Sequence, residues 1–128
     1  MAIDGLTILA SRLGPAETAA RLEAQIAAHG LTLFARIDHA AGAAEAGLEL
    51  RPTLLLIFGN AKGGTPLMQA AQTIGIDLPL KFLVWQDEAG TTRIAYNRPA
   101  WTGARHGVDN PKVLDAMEAL LSAIAHSV

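Results

Sequence analysis

Apolar positions along this chain fall into short strand-like runs separated by longer amphipathic stretches. Leu6–Ser11 reads as a first strand, and Gly14-Pro15 ends it, with Pro15 suited to a helix start. Over Ala16–His29 the residues Ala19, Leu22 and Ile26 share one face, while Glu17, Arg21 and Gln25 share another, which predicts an amphipathic helix closed by Gly30. Leu31–Asp38 alternates with a period of two, Leu31, Leu33, Ala35 and Ile37 against Thr32, Phe34, Arg36 and Asp38, and predicts a second strand. "HAAGAAEAG" then reads as a short helix closed by Gly47. Thr53–Phe58 is apolar throughout and predicts an inner strand buried on both faces.

After that strand, Thr65 has the character of an N-cap and Pro66 of a first helical residue, predicting a helix to about Thr73, with Gly75 ending it. Leu80–Asp87 and Thr91–Tyr96, joined through "DEAG", predict a hairpin. Pro99–Arg105 reads as a short helix. Asn110-Pro111 opens a last helix to about His126, whose apolar stripe runs through Val113, Leu114, Met117, Leu120, Leu121 and Ile124. The expected fold is α+β in two layers: a single mixed or mainly antiparallel five-stranded sheet with the long helices on one face, residues 1–128 forming one domain. A split βαβ arrangement would place the first and third strands centrally and the fifth beside the fourth.

Composition narrows the function classes. The chain has 128 residues, 51% of them hydrophobic, a net charge of −2 and no cysteine. A single full core is within reach of this length. The high apolar fraction points to a large core or to a patch covered by a partner subunit. No basic field is available for nucleic acid, and thiolate metal sites are excluded. The N-terminal "MAIDGLTILASRLG" lacks a basic region and carries Asp4 early, so it is read as a strand and not as a leader. No apolar run approaches the ~20 residues of a membrane span, so the expected location is the cytoplasm with no membrane contact.

The candidate chemistry lies in the loops. "LLLIFGNAKGGTPL", residues 54–67, spaces Gly59 and Gly64 as a phosphate-binding loop does, but Thr65 stands where that loop needs its lysine. A turn that starts a helix accounts for it, and free N–H groups of Gly63 and Gly64 remain candidates for a small anion. Asp38-His39 is either a carboxylate-held acid/base or a cap followed by a first-turn residue. His106, near Tyr96, Asn97 and Arg105, is either a general acid/base or a surface group. In the expected strand order both histidines lie at the same end of the sheet, on opposite edges. Asp77, before Leu78-Pro79, is a site acid or a turn former. No H-x-x-x-H or H-E-x-x-H spacing is present, so no metal or other cofactor is expected.

Residues 34–99 carry Asp38-His39, Ala44 with Gly47, Pro52-Thr53, Ile57-Phe58-Gly59-Asn60, Gly64-Thr65, Leu67-Met68, Asp77-Leu78-Pro79 and Tyr96-Asn97, followed by Arg105-His106. In this combination the chain resembles the domain of unknown function 302 family of small bacterial and archaeal proteins, from about Ser11 to Gly107. It departs at Ala61 and at Gln72, where proline is common in the family. The resemblance implies a compact α+β domain, often a dimer; it does not imply an activity, because the family has none established. It raises Asp38, His39, Asn60, Asp77, Tyr96, Asn97 and His106 as site candidates. The leading expectation is therefore a homodimeric domain that binds a small molecule, an anion or a partner, with Asn60, Gly63, Gly64, Asn97 and Asp77 as binding residues. The alternatives are an enzyme using His39 or His106 as acid/base, assisted by Asp38 or Tyr96, and a purely structural or assembly domain.

Overall fold

In the computed structural model, which describes residues 2–128, five strands and five helices form two layers. The strands are β1 (Leu6–Ser11), β2 (Thr32–Asp38), β3 (Thr53–Gly59), β4 (Leu80–Gln86) and β5 (Thr92–Asn97). The helices are α1 (Pro15–Ala28), α2 (His39–Glu45), α3 (Ala61–Ala70), α4 (Pro99–Arg105) and α5 (Pro111–His126), with a 3-10 turn over Gln72–Ile76. The sheet runs β1-β5-β4-β3-β2, and every neighbouring pair is antiparallel. The α+β two-layer plan, the β4–β5 hairpin and the placement of β5 beside β4 follow the sequence expectation.

The strand order corrects it in one respect. β1 is an edge strand paired with β5, not a central one. α1 therefore carries the chain across the whole sheet, from one edge to the other. Local pattern is consistent with this: Ile8 and Ala10 of β1 are exposed, whereas β3 supplies Leu56 and Phe58 to the core. β2, the other edge, has a bulge between Leu33 and Ala35, which turns Phe34 outward and puts Arg36 opposite Leu56. Arg36 then meets Glu23 of α1 at 3.0 Å.

The main core lies between the sheet and helices α1 and α5. Leu22 and Ile26 of α1 and Leu121 and Ile124 of α5 pack on Leu56, Phe58, Phe82, Val84, Ile94 and Tyr96. A second, smaller cluster of Leu67, Ile74, Val108, Leu114 and Met117 holds α3, the 3-10 turn and the start of α5 together. Each such side chain, fully buried, contributes about 1.5–3 kcal/mol. This second cluster underlies one end of the sheet and seats the loops there.

The helix after β3 also departs from expectation. It begins at Ala61, five residues before the expected first helical residue Pro66, because the side chain of Asn60 accepts a hydrogen bond from the Gly63 N–H at 2.7 Å. That cap outcompetes Thr65. Pro66 consequently lies inside α3, and the helix closes at Ala70. Gly59, with φ of +153°, gives the backbone the turn from β3 into Asn60.

Candidate functional site

The register sorts the site candidates into two poles of the sheet. Asp38 pairs with Leu54, Thr53 with Trp85 and Gln86 with Thr92 at one pole. Thr32 pairs with Gly59, Phe58 with Leu80 and Leu6 with Asn97 at the other. His39 follows β2 at the first pole. Asn60, Asp77, Asn97 and His106 gather at the second. The two histidines thus lie at opposite ends of the sheet, not at the same end: β1's edge position sets β5 running toward the second pole.

At the first pole, Asp38 Oδ1 accepts from the Ala41 N–H at 2.9 Å and caps α2. His39, the first residue of that seven-residue helix, is exposed. Its neighbour's carboxylate is spent on the backbone, not on the imidazole.

At the second pole, Asp77 ends the 3-10 turn and meets α4. His106 Nε2 donates to Asp77 Oδ2 at 2.5 Å, and His106 Nδ1 lies 2.9 Å from the Thr73 hydroxyl. A carboxylate only accepts, so the proton sits on Nε2 and Nδ1 accepts from Thr73 when the ring is neutral. Arg105 donates to both Asp77 oxygens, each at 3.0 Å. The His106 side chain is 9% exposed and that of Asp77 16%. The result is a hydroxyl–imidazole–carboxylate chain joining two segments, the 3-10 turn with its cap and the end of α4. α4 comes close enough to build it because Gly103 stands against Leu114; a Cβ there would lie 2.7 Å from a Leu114 methyl.

Lys81 closes the same turn, donating to the carbonyls of Asp77 at 3.2 Å and Pro79 at 2.9 Å. Burial pushes its ammonium below the ordinary lysine range, and the charge of Asp77 partly offsets that. Asp77, Lys81 and Asn97 line a small cavity of about 30 Å³ with Pro99, Thr102 and Leu121. That volume holds no more than two or three waters, since one water needs about 10–15 Å³.

A far larger hollow adjoins it across Leu78, Leu80 and Met117, which wall both. This is an open groove of about 580 Å³, bounded by the edge strand β2, the start of α3 and one side of α5. Leu31, Phe34, Met68, Val113 and Leu120 give it an apolar wall, and Asn60, Gly63 and Gly64 stand at its rim. His106 and Thr73 line neither hollow. The two glycine amides expected to be free are bonded within the loop: Gly63 N–H to Asn60 Oδ1 and Gly64 N–H to the Asn60 carbonyl at 3.3 Å.

Tyr96 faces the other way, into the main core, edge-on to Phe82 with ring centroids 5.9 Å apart. Its hydroxyl donates to Glu118 Oε1 at 3.4 Å. Burial raises the phenol's pKa above the usual 10.0, and the Glu118 charge adds to this. The second Glu118 oxygen, Oε2, is buried without a partner among the described residues. Sequence reasoning missed Glu118 although it interrupts the apolar stripe of α5 between Leu114, Met117 and Leu121, which was the available signal. Thr73 gave none.

Among the described residues no helix is long and apolar enough to cross a membrane. No group of three or more His, Cys, Asp or Glu side chains is arranged to hold a metal ion there.

The profile of the domain of unknown function DUF302 matches residues 7–125. The crystal structure of an uncharacterized conserved DUF302 protein from Bacillus stearothermophilus superposes with a TM-score of 0.85 at 22% identity, over 97% of this chain and 98% of that one. At that identity the likeness speaks for the fold alone. Among curated proteins, the chain is 46% identical over 116 residues to a protein of Brucella suis biovar 1 (strain 1330) called fluoride-specific ion channel FluC 1, covering 89% of this chain and 46% of that protein. A protein of the same name from Brucella abortus biovar 1 (strain 9-941) matches at 46% identity, with 43% of its length covered. The chain thus spans less than half of these curated relatives.

Proposed function

The chain belongs to the DUF302 family of domains of unknown function, and from that premise we propose that it is a small-ligand-binding domain that works as a homodimer. One observation carries the binding reading: the groove of about 580 Å³ between β2, α3 and α5. Its size falls among those of ligand pockets, roughly 300–1,000 Å³, and its apolar wall with polar groups at one rim has their usual make-up. The test is a titration with the neutral apolar dye Nile red. Saturable fluorescence gain is expected, and it is lost in Ala116→Trp, which fills the groove from the exposed side of α5. Absence of saturable binding, with a dimer still present, would favour the purely structural or assembly reading.

The dimer surface we propose is the sheet face away from the helices. A row of neighbours in register, Ile8, Ala95, Leu83, Leu55 and Ile37, crosses all five strands there. Ile8 and Ile37 are 40% and 41% exposed. An apolar row of this kind fits the core of an interface. Light scattering on the Ile8→Lys, Ile37→Lys double variant should report a monomer where the parent chain is a dimer.

The Thr73–His106–Asp77 chain favours a second reading, an enzyme in which His106 is the general base, Asp77 orients it and Thr73 carries the reactive hydroxyl. Ester turnover abolished by both Thr73→Val and His106→Gln would support it. The Brucella relatives supply a partner class: they bear the name of a fluoride-specific ion channel, and this chain matches a part of each. A domain of this kind acting beside such a channel would change fluoride efflux from cells that express the channel, measured with a fluoride electrode with and without this chain.

A further inference from the structure

We infer that the groove's ligand is an amphiphilic monoanion: an apolar body with a single carboxylate, seated with that head at the start of α3. The inference rests on the groove being a ligand site. Among the described residues that line the groove, Lys62 alone carries a charge. It is exposed, and no carboxylate forms an ion pair with it among the described residues. Asn60 stands next to it on the rim. Because Asn60 Oδ1 is held by the Gly63 N–H, the end of its amide left over for a ligand is the NH2 donor.

The rim therefore offers an ammonium and an amide NH2, both donors, and no charged acceptor. A carboxylate is an acceptor only, so it complements donors of both kinds. The N-terminal end of the ten-residue helix α3 lies at the same rim and favours the same sign of charge. The rest of the groove, from Phe34 and Leu31 to Met117 and Leu120, offers an apolar wall for the body of the ligand. A cationic amphiphile would meet Lys62 head-on, and a neutral one would leave the rim donors to water. The chain's net charge of −2 gives no general attraction for anions, so any preference for them has to arise at this rim.

The experiment is displacement of Nile red by three ligands of equal chain length, decanoate, decanol and decylamine, against the parent chain, Lys62→Gln and Lys62→Arg. Lys62 is exposed, and its replacement leaves the core untouched. Decanoate is expected to bind about five- to tenfold more tightly than decanol, the span of one charge-assisted hydrogen bond at an open rim. Lys62→Gln should remove that advantage without changing decanol binding, and Lys62→Arg should restore it. Equal binding of decanoate and decanol, or an unchanged decanoate preference in Lys62→Gln, would overturn the anion assignment while the groove stands. If none of the three displaces the dye and the dye itself does not bind, the groove reading fails, and the anion assignment with it.

Discussion

Two aspartate–histidine pairs stand at opposite poles of the sheet, and they do different things. Asp38 and His39 are adjacent in sequence but not partnered; the carboxylate caps α2 and the imidazole is exposed. Asp77 and His106 lie 29 positions apart and share a hydrogen bond, with Thr73 and Arg105 completing the cluster. Neighbours in a chain point their side chains along their own element's geometry, so adjacency at a strand–helix junction favours capping. A histidine held by a carboxylate had to be assembled from separate segments. Here the smaller core cluster does this by packing the 3-10 turn against α5, while α4 delivers His106.

The contrast has measurable consequences. The largest is expected from Asp77→Ala, which strips a carboxylate from a nearly buried histidine and from Arg105. A loss of about 2 kcal/mol in urea unfolding is expected, within the range for hydrogen bonds to charged groups. Asp38→Ala, at the other pole, removes one cap from a short exposed helix and should cost about 0.5–1 kcal/mol. Equal losses from the two would break the comparison. Thr73→Val is expected to cost a similar 0.5–1 kcal/mol, since Thr73 is exposed and one neutral hydrogen bond is lost. His39→Ala should stay within about 0.5 kcal/mol of the parent chain, as for other exposed positions away from special features.

A pH experiment sharpens the distinction between the pole clusters and the buried Tyr96–Glu118 pair. The phenol of Tyr96 has a folded-state pKa above its ordinary 10.0, because burial and the Glu118 charge oppose its ionisation. Between the two values the unfolded chain has released this proton and the folded chain has not, so stability falls as pH rises. The stabilisation is whole below about pH 10 and is lost as pH passes the raised value. Tyr96→Phe should flatten that alkaline limb of the urea midpoint, whereas Asp38→Ala, far from any group that titrates there, should leave its slope in place.

The periodic parts of the chain were legible. α1, α4, α5 and the β4–β5 hairpin lie where apolar spacing and proline placed them, because those signals are local. The β1–β5 pairing was not, since it joins residues about 80–90 positions apart and depends on how α1 crosses the sheet. The start of α3 was misplaced because two residues compete to cap it, and the stronger cap, Asn60, precedes two glycines that ordinarily discourage a helix. The candidate site was legible in fragments. Asn60 and Asp77 were identified as individual residues. The groove beside Asn60 was hidden because its walls come from β2, α3 and α5, and the bulge that presents Phe34 to it leaves no trace in the alternation.

The most direct test of the groove as the binding site is a titration of the nitrogen-15-labelled chain with decanoate, read by amide chemical shifts. The account predicts saturable shifts confined to Leu31–Phe34, Asn60–Met68 and Val113–Leu120, with His39 and α2 unmoved. Shifts centred on the His39 pole or on the sheet face away from the helices, or none at saturating ligand, would contradict it.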